Sequence, residues 1–477
     1  MSRVCHAPCE TACRGKSGEP LNLRGVKRFV VDWGREHGVA TEAPRPAAQR
    51  RGRVAVVGSG PAGLTGAYFL AQLGYQVIVF EKEDVPGGML SLGIPAYRLP
   101  RQAVAADIEY VKSAGVEIQT GVIVGEDISL ADLFARGFQA VFLATGATAS
   151  RRLDVPGIEW PGVVQGLELL RAASLGKPRS VGSRVVVIGG GNVAVDSAMS
   201  ALRLGADDVT IVCLESLDEM PAYRDQVEDA LDEGVTIKPG WGPRRMLGSD
   251  RGVNGVELVR CESVFDDWGA FHPAYCQTDV ESLGADTVIV AIGQAPDLGW
   301  LGEASSIAFT DSGAVEARGF SLATSIPGVF AGGDAVSGDA SVVEAMAAGK
   351  LAAHSIDSYL IADGSERVGP GKSPHAATSR RDRFRPFIPM VRPSAFREVA
   401  ETTLKAGSGR ASAPKLRAAD RRRSFAEITG ALTREQAEAQ ARACLKHDLE
   451  LEEESAARLA QMGPAAFVLE ANEDRRR

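Results

Sequence analysis

Three cysteines, Cys5, Cys9 and Cys13, follow one another at a four-residue step in VCHAPCETAC, and the next cysteine is Cys213. Thiolates spaced in this way can ligate a metal cluster or pass electrons. A compact iron–sulfur cluster takes four cysteine ligands and a disulfide takes two, so the run completes neither cleanly by itself. Were the run helical, a rise of about 1.5 Å per residue would part Cys5 and Cys13 by roughly 12 Å, too far for one cubane. Cys213, Cys261, Cys276 and Cys444 have no neighbour at metal or redox spacing and read as packing thiols.

Two glycine-rich turns suggest a second chemistry, the holding of a diphosphate by backbone. The first, GSGPAG, sets Gly58, Gly60 and Gly63 in G-x-G-x-x-G with Pro61 and Ala62 between them. An apolar run, Val54 to Val57, precedes it; a helical pattern from Leu64 to Leu73 follows; and Gln76 to Phe80 read as a return strand ending at Glu81 and Lys82. The three glycines would allow a tight turn, close approach of backbone to diphosphate, and close helix–strand packing. Free N–H groups and the helix dipole favour an anion there, and Glu81 would accept hydrogen bonds from ribose hydroxyls. A glycine-rich structural turn can imitate the motif, but strand, helix and acid together predict a bound dinucleotide. The second turn, GGGNVA, repeats the logic with Gly189, Gly191, Asn192, Val193 and Ala194, and its return strand VTIVCLE ends in Glu215. A carboxylate there suits the free 2′-hydroxyl of NADH and repels the 2′-phosphate of NADPH, which calls for arginine. Ser216, Leu217 and Asp218 add no arginine, so NADH is expected. The bland alternative makes Glu215 a surface strand end.

The elements that must position these turns are those of a glycine-rich α/β protein. The 477 residues are 45% hydrophobic and include 53 glycines, enough for two or three domains joined by tight strand-to-helix turns. A net charge of -8 gives no electrostatic reason to expect nucleic acid or an anionic membrane as partner. No apolar run approaches the roughly 20 residues of a membrane span, and the N-terminus has no apolar signal region, so a cytoplasmic location is expected. In the first 50 residues Val26, Phe29, Val30 and Trp33 fall at helical spacing and predict one apolar face, followed by a Pro/Ala/Arg-rich linker. The two βα units then recur as a duplicated architecture. After Asp363 the composition turns to Gly, Ser, Pro and Arg, with thirteen Lys/Arg against four Asp/Glu between Arg380 and Arg423. That basic stretch and a helical pattern from Leu432 to Leu445 predict a tail that docks on another subunit, a solvated extension being the alternative.

Two dinucleotide turns in one chain, the second inside the first domain, resemble the two-dinucleotide-binding-domain flavoprotein family. Three further stretches carry the resemblance: VFLATGA with Ala144, Thr145 and Gly146; VIVAIGQAPD with Ala291 and Gly293; and GVFAGGDAVSGDASVVEAMAAGKLAA with Gly333, Asp334, Ser341 and Val342. It implies an α/β fold of two Rossmann-like domains, with residues 51–150 and 288–365 forming an FAD domain around an NAD(H) domain at 151–287. A helical cysteine region (1–50) and a basic, helical tail (366–477) would flank them. It also implies that Asp334 binds the flavin ribitol and that the helix from Ser341 points its positive end at the flavin pyrimidine. RVCHAPCETAC, GGMLSLGIPAYRLP with Gly88 and Met89, GGGNVAVDSAMSALRLGA and EMPAYRDQVEDALDEGV narrow the resemblance. They are similar to the glutamate synthase small subunit and its relatives, including NADH-oxidising flavoprotein subunits of formate and aldehyde oxidoreductases, over residues 1–365.

The chain departs from the glutamate synthase small subunit at CLES, where that NADPH-using subunit carries arginines, and it shows no counterpart of the further cysteines that relatives carry upstream of the cysteine run and often after the pair matching Cys444-Leu445. In the family these cysteines are shared between two iron–sulfur clusters. The run here is read as a docking remnant, cluster ligation by Cys5, Cys9 and Cys13 being the alternative, with the cluster expected on a partner. The resemblance thus implies an FAD-dependent NADH:acceptor oxidoreductase subunit that exchanges hydride with NAD(H) and single electrons with an iron–sulfur subunit, beside a further catalytic subunit. An NADPH-dependent glutamate synthase small subunit and a non-catalytic redox sensor are the other readings. Hydride exchange needs positioning more than an acid or base, and no catalytic residue is assigned. MLSLGIPAYRLP holds no cysteine pair, which argues against a disulfide reductase. Met220, Pro221 and Tyr223 are expected to shape the nicotinamide side of the cleft, ordinary packing being the alternative.

Overall fold

The computed structural model describes residues 2–11, 20–39, 42–44, 51–301, 306–365 and 410–442. Cys13, Cys444 and most of the tail expected to dock on another subunit lie outside them. Among the described residues the chain builds two five-stranded parallel sheets, as the Rossmann reading requires. The first runs, in spatial order, Val329–Ala331, Phe138–Leu143, Arg51–Val57, Tyr75–Glu81 and Glu117–Thr120. The second runs Val163–Gln165, Thr287–Val290, Arg184–Ile188, Asp208–Cys213 and Thr236–Pro239. Central strands of a parallel sheet are covered on both faces, which is why Val54, Val56 and Val187 are fully buried and the strand sequences are continuous apolar runs.

The second sheet is an insertion in the first. The chain leaves the first sheet after Leu143 and rejoins it at Val329, and where the two crossings pass each other Ala149–Ser150 pairs antiparallel with Gln294–Ala295. Three antiparallel strands, Trp241–Ser249, Gly252–Phe265 and Phe271–Gly284, cover one face of the second sheet. Trp241, Met246, Val256 and Leu258 pack there on Val186, Ile188, Val212 and Val288. The helix Val342–Ser365 lies across Pro61–Gln72 so closely that a Cβ on Gly349 would overlap Ala62 O.

Two expectations about the chain ends are revised. The helix Leu23–Glu36 forms and is capped by Asn22, whose Oδ1 accepts from Gly25 N at 2.8 Å, but it does not dock by an apolar face. Val30 and Trp33 are exposed and the helix residue that is buried is Arg28. An ion-pair network holds the helix instead: Arg3 pairs with Asp32 at 2.9 Å and Glu427 at 2.7 Å, and Arg28 with Glu427 at 2.9 Å. The helical pattern near Leu432 forms Arg434–Arg442 and packs on this same N-terminal helix, so its docking surface lies within the chain. Asn22 N donates to Gln440 Oε1 at 2.8 Å, and Arg410 pairs with Glu10 at 2.8 Å. Basic residues of this segment also find acids on the second unit, Lys415 and Arg421 both meeting Asp229.

Candidate functional site

Both glycine turns stand at the carboxyl ends of central parallel strands, the place where such sheets bind ligands. Gly58 has φ +101, and a Cβ there would overlap Ala144 O; Gly189, at φ +133, stands in the same way against Ala291 O. The ATG and AIG stretches are therefore neighbours of the two turns for one steric reason. Gly63 lies behind its turn, where a Cβ would run into Gly58 O. Gly60 and Gly191 differ, since nothing stands within 4 Å of where their Cβ would be. The helices Pro61–Gln72 and Asn192–Arg203 begin directly after these open glycines, with no side-chain cap. N–H groups left free at a helix start, above a backbone that a ligand can approach, make an anion seat.

One cleft of about 1640 Å³ joins the two turns. Every residue expected to hold a cofactor borders it except Gly63, which shapes the turn from behind. Glu81 is buried at the end of its strand, and its Oε2 accepts from Ser59 N at 2.9 Å and Ser59 Oγ at 2.5 Å. Ser59 Oγ in turn accepts from Gly87 N at 2.9 Å, tying the turn to the Gly87–Gly88 bend. Sequence reasoning passed over Ser59 because it is only the variable residue within G-x-G. In the second unit Glu215 borders the cleft with Oε2 2.7 Å from the position a Gly190 Cβ would take. Asn192 Oδ1 accepts from Tyr223 N at 2.9 Å and Gly190 O from Ala222 N at 3.1 Å, which folds the Met-Pro-Ala-Tyr element over the turn. Pro221 and Tyr223 border the cleft; Met220 is buried in the core of the second unit and takes the packing role instead.

Asp334 and Thr145 border the first unit's half of the cleft, and each has a buried side-chain oxygen without a hydrogen-bond partner, Oδ1 and Oγ1 respectively. Burial, reinforced by the nearby carboxylates of Asp339 and Glu344, raises the Asp334 carboxyl to about 7. An unsatisfied buried acceptor is costly, and a polyhydroxylated ligand chain would supply its missing donor. The helix Val342–Ser365 opens with a capping box: Ser341 N donates to Glu344 Oε2 at 2.8 Å and Glu344 N to Ser341 Oγ at 3.3 Å. The Ser341 hydrogen bonds hold the Glu344 carboxyl below its ordinary range. The open Gly60 turn, the Glu81 strand end and the orphaned Asp334 oxygen fit an FAD. The Gly191 turn and Glu215 fit a nicotinamide dinucleotide.

Other cleft residues lie in the quoted stretches but were given no role there. The His6 ring stacks parallel to Tyr223, centroids 5.9 Å apart and planes 6° from parallel. Arg98, from the first unit, pairs with Asp196 on the helix Asn192–Arg203 at 2.5 Å, bolting the two units together under the cleft. Burial raises the Asp196 carboxyl, and Arg98 offsets this. No spacing or pattern in the sequence signals that pair, whose partners lie 98 residues apart.

The cysteine run is not a single helix. Cys5 precedes the helix Pro8–Thr11, and Ala7 between them has φ 55, so the separation expected for a helical run does not apply. Cys5 is buried, with Lys27 Nζ donating to its Sγ at 3.1 Å, and Cys9 is exposed. Among the described residues no three His, Cys, Asp or Glu side chains stand together as a metal site. Cys213 is buried beside Glu215, and burial first and that carboxylate second push its thiol up to about 12.

The comparisons with known proteins agree with this architecture. The pattern of the family described as pyridine nucleotide-disulphide oxidoreductase matches residues 52–349. The chain is 42% identical over 385 residues to the NADP(+)-dependent formate dehydrogenase subunit beta of Moorella thermoacetica, covering 76% of this chain and 54% of that one. It is 35% identical to the glutamate synthase [NADPH] small chain of Mycobacterium tuberculosis, covering 79% of this chain and 80% of that one. It is 33% identical to the NAD-dependent dihydropyrimidine dehydrogenase subunit PreT homolog of Salmonella typhi, covering 75% and 81%. The chain thus spans little more than half the length of the formate dehydrogenase subunit. Among solved structures, FprA from Mycobacterium tuberculosis has a similar fold, with a TM-score of 0.57 at 20% identity over 66% of this chain and 86% of that one. On the shared pattern and on these relatives, the chain belongs to the pyridine nucleotide-disulphide oxidoreductase family of two-domain flavoproteins.

Proposed function

We propose that the protein is an FAD-dependent NADH:acceptor oxidoreductase subunit of a larger redox complex. The observation that carries the proposal is the joining of two glycine turns, each with an open anion seat and a strand-end acid, in one cleft. The flavin, when bound, supplies the capacity to accept two electrons as hydride and to release them singly. The chain's own residues bind and orient. Gly60 and the start of Pro61–Gln72 would seat one diphosphate, Asp334 would accept from a ribitol hydroxyl, and the start of Val342–Ser365 would offer its positive end to the flavin. Gly191 and the start of Asn192–Arg203 seat the other diphosphate, with Pro221 and Tyr223 closing the nicotinamide side. No acid or base need act, because hydride exchange depends on alignment.

NADH is the preferred dinucleotide in this reading, because the Glu215 carboxylate meets the adenosine ribose, where a 2′-phosphate would be repelled. A second reading, NADPH, is favoured by the name of the Moorella relative and by Arg260, whose guanidinium carbon lies 3.4 Å from where a Gly240 Cβ would be. Gly240 N donates to Glu215 O at 3.1 Å, so this cation is close to the same strand end. Anaerobic stopped-flow reduction of the flavin by each dinucleotide tests the choice. The wild type bleaches faster with NADH, and Glu215→Arg weakens or reverses the preference. Faster bleaching by NADPH would sink the Glu215 argument, and no bleaching by either would leave a redox-sensing subunit. Electrons then pass to an iron–sulfur subunit that serves a catalytic subunit of formate or aldehyde oxidoreductase type. Cys5 and Cys9 belong to the packed N-terminal segment, and the cluster is carried by the partner.

A further inference from the structure

The antiparallel sheet on the second unit has an edge strand, Phe271–Gly284. Its pairing with Gly252–Phe265 slips twice between Tyr275 and Phe271, and through these bulges Phe271, Pro273 and Tyr275 all come to border the cleft. Phe271 is 65% exposed, and Pro273 and Tyr275 are half-buried beside it. Apolar side chains left partly uncovered together at a cleft mark a binding groove.

The stripe lies close to the strand end that bears Glu215. Gly242, on the strand Trp241–Ser249, has no side chain, and Tyr275 and Leu214 fill the gap: a Cβ there would be 2.8 Å from Tyr275 Cε1 and 2.9 Å from Leu214 Cδ2. Leu214 immediately precedes Glu215, and Gly240, two residues before Gly242, donates to Glu215 O. Trp241 is buried beneath with Lys238 Nζ 4.8 Å from its ring centroid. Phe265, paired with Phe271 across the strands, meets it edge to face at 6.3 Å and steadies it.

We propose that Phe271, Pro273 and Tyr275 form a stacking platform for the adenine ring of the nicotinamide dinucleotide. This rests on the proposed use of NAD(P)H and identifies the residues that hold its adenosine half. A flat purine suits a row of flat apolar faces, and Glu215 is placed for the ribose attached to it. The hydride-donating end is served by other residues, Pro221 and Tyr223.

Calorimetric titration of the flavin-loaded protein with ADP-ribose, which keeps the adenosine and lacks nicotinamide, tests this. The double variant Phe271→Ala/Tyr275→Leu is expected to lose roughly 10-fold to 100-fold in ADP-ribose affinity, the range of base–aromatic stacking. Tyr275→Phe keeps the ring and restores wild-type affinity. The ratio of flavin-reduction kcat/KM for NADH over NMNH, which has no adenosine, falls in the double variant by a similar factor. Unchanged ADP-ribose binding in the double variant overturns the platform while leaving NADH oxidation intact. Equal losses for NADH and NMNH overturn it too, by showing a general structural role. A wild type that is bleached by no dinucleotide and binds no ADP-ribose overturns the function and the platform together.

Discussion

The second and third glycines of the first turn, Gly60 and Gly63, should respond to the same substitution in opposite ways. At Gly60 the backbone has φ -66, which any residue adopts, and nothing stands within 4 Å of the new methyl group. Gly60→Ala should therefore leave the apoprotein as stable as wild type or stabilise it by about 0.4–1 kcal/mol through the unfolded chain. The methyl group does occupy the path of a diphosphate to the helix start. Losing two charge-assisted hydrogen bonds there, at about 1.5–3 kcal/mol each, weakens FAD binding by roughly 10²-fold to 10⁴-fold. At Gly63 the methyl group meets Gly58 O, backbone that cannot turn aside. Gly63→Ala should cost about 1–3 kcal/mol of stability or more before any ligand is present. Urea unfolding of the apoproteins, followed by far-UV circular dichroism, measures the first quantity, and flavin fluorescence titration the second. If Gly60→Ala binds FAD within threefold of wild type, no diphosphate lies on that turn and the assignment of the first unit fails.

Asp334 should make the apoprotein pH-sensitive. Its carboxyl is raised from 3.8 to about 7, so the folded state holds a proton that the unfolded chain has released, and this contribution to stability is lost as pH rises through about 7. Asp334→Asn should then have little effect on Tm in acid and raise it above neutrality; a Tm difference independent of pH would refute the assignment. The N-terminal cysteines give a compositional test: chain purified anaerobically should carry flavin without stoichiometric iron and acid-labile sulfide, and finding both would make Cys5 and Cys9 cluster ligands.

Much of the fold was legible because its signals are local. The apolar runs ending at Val57 and Ile188, the glycines that alone permit the turns after them, and the acids at positions 81 and 215 follow from backbone sterics and strand period within about thirty residues each. The ATG, AIG and GGD stretches were legible by resemblance, and the steric contacts of Gly58 with Ala144 and of Gly189 with Ala291 explain the first two. The misjudged parts depended on distant partners. The spacing of Val26, Phe29, Val30 and Trp33 predicted an apolar dock, yet Asp32 and Arg28 meet Arg3 and Glu427, the last about 400 residues away in the chain. The segment around Leu432 was amphipathic in sequence, but nothing local could say that its partner was the chain's own N-terminal helix. The same holds for the stripe in FHPAY, which carried no sequence signal and met the cleft only through the sheet it joined. Sequence alone thus determined the two nucleotide turns, because a glycine's permitted backbone is a property of that residue and its neighbours. Only the tertiary structure decided what closes over them, because side chains brought together by topology leave no period or spacing to read.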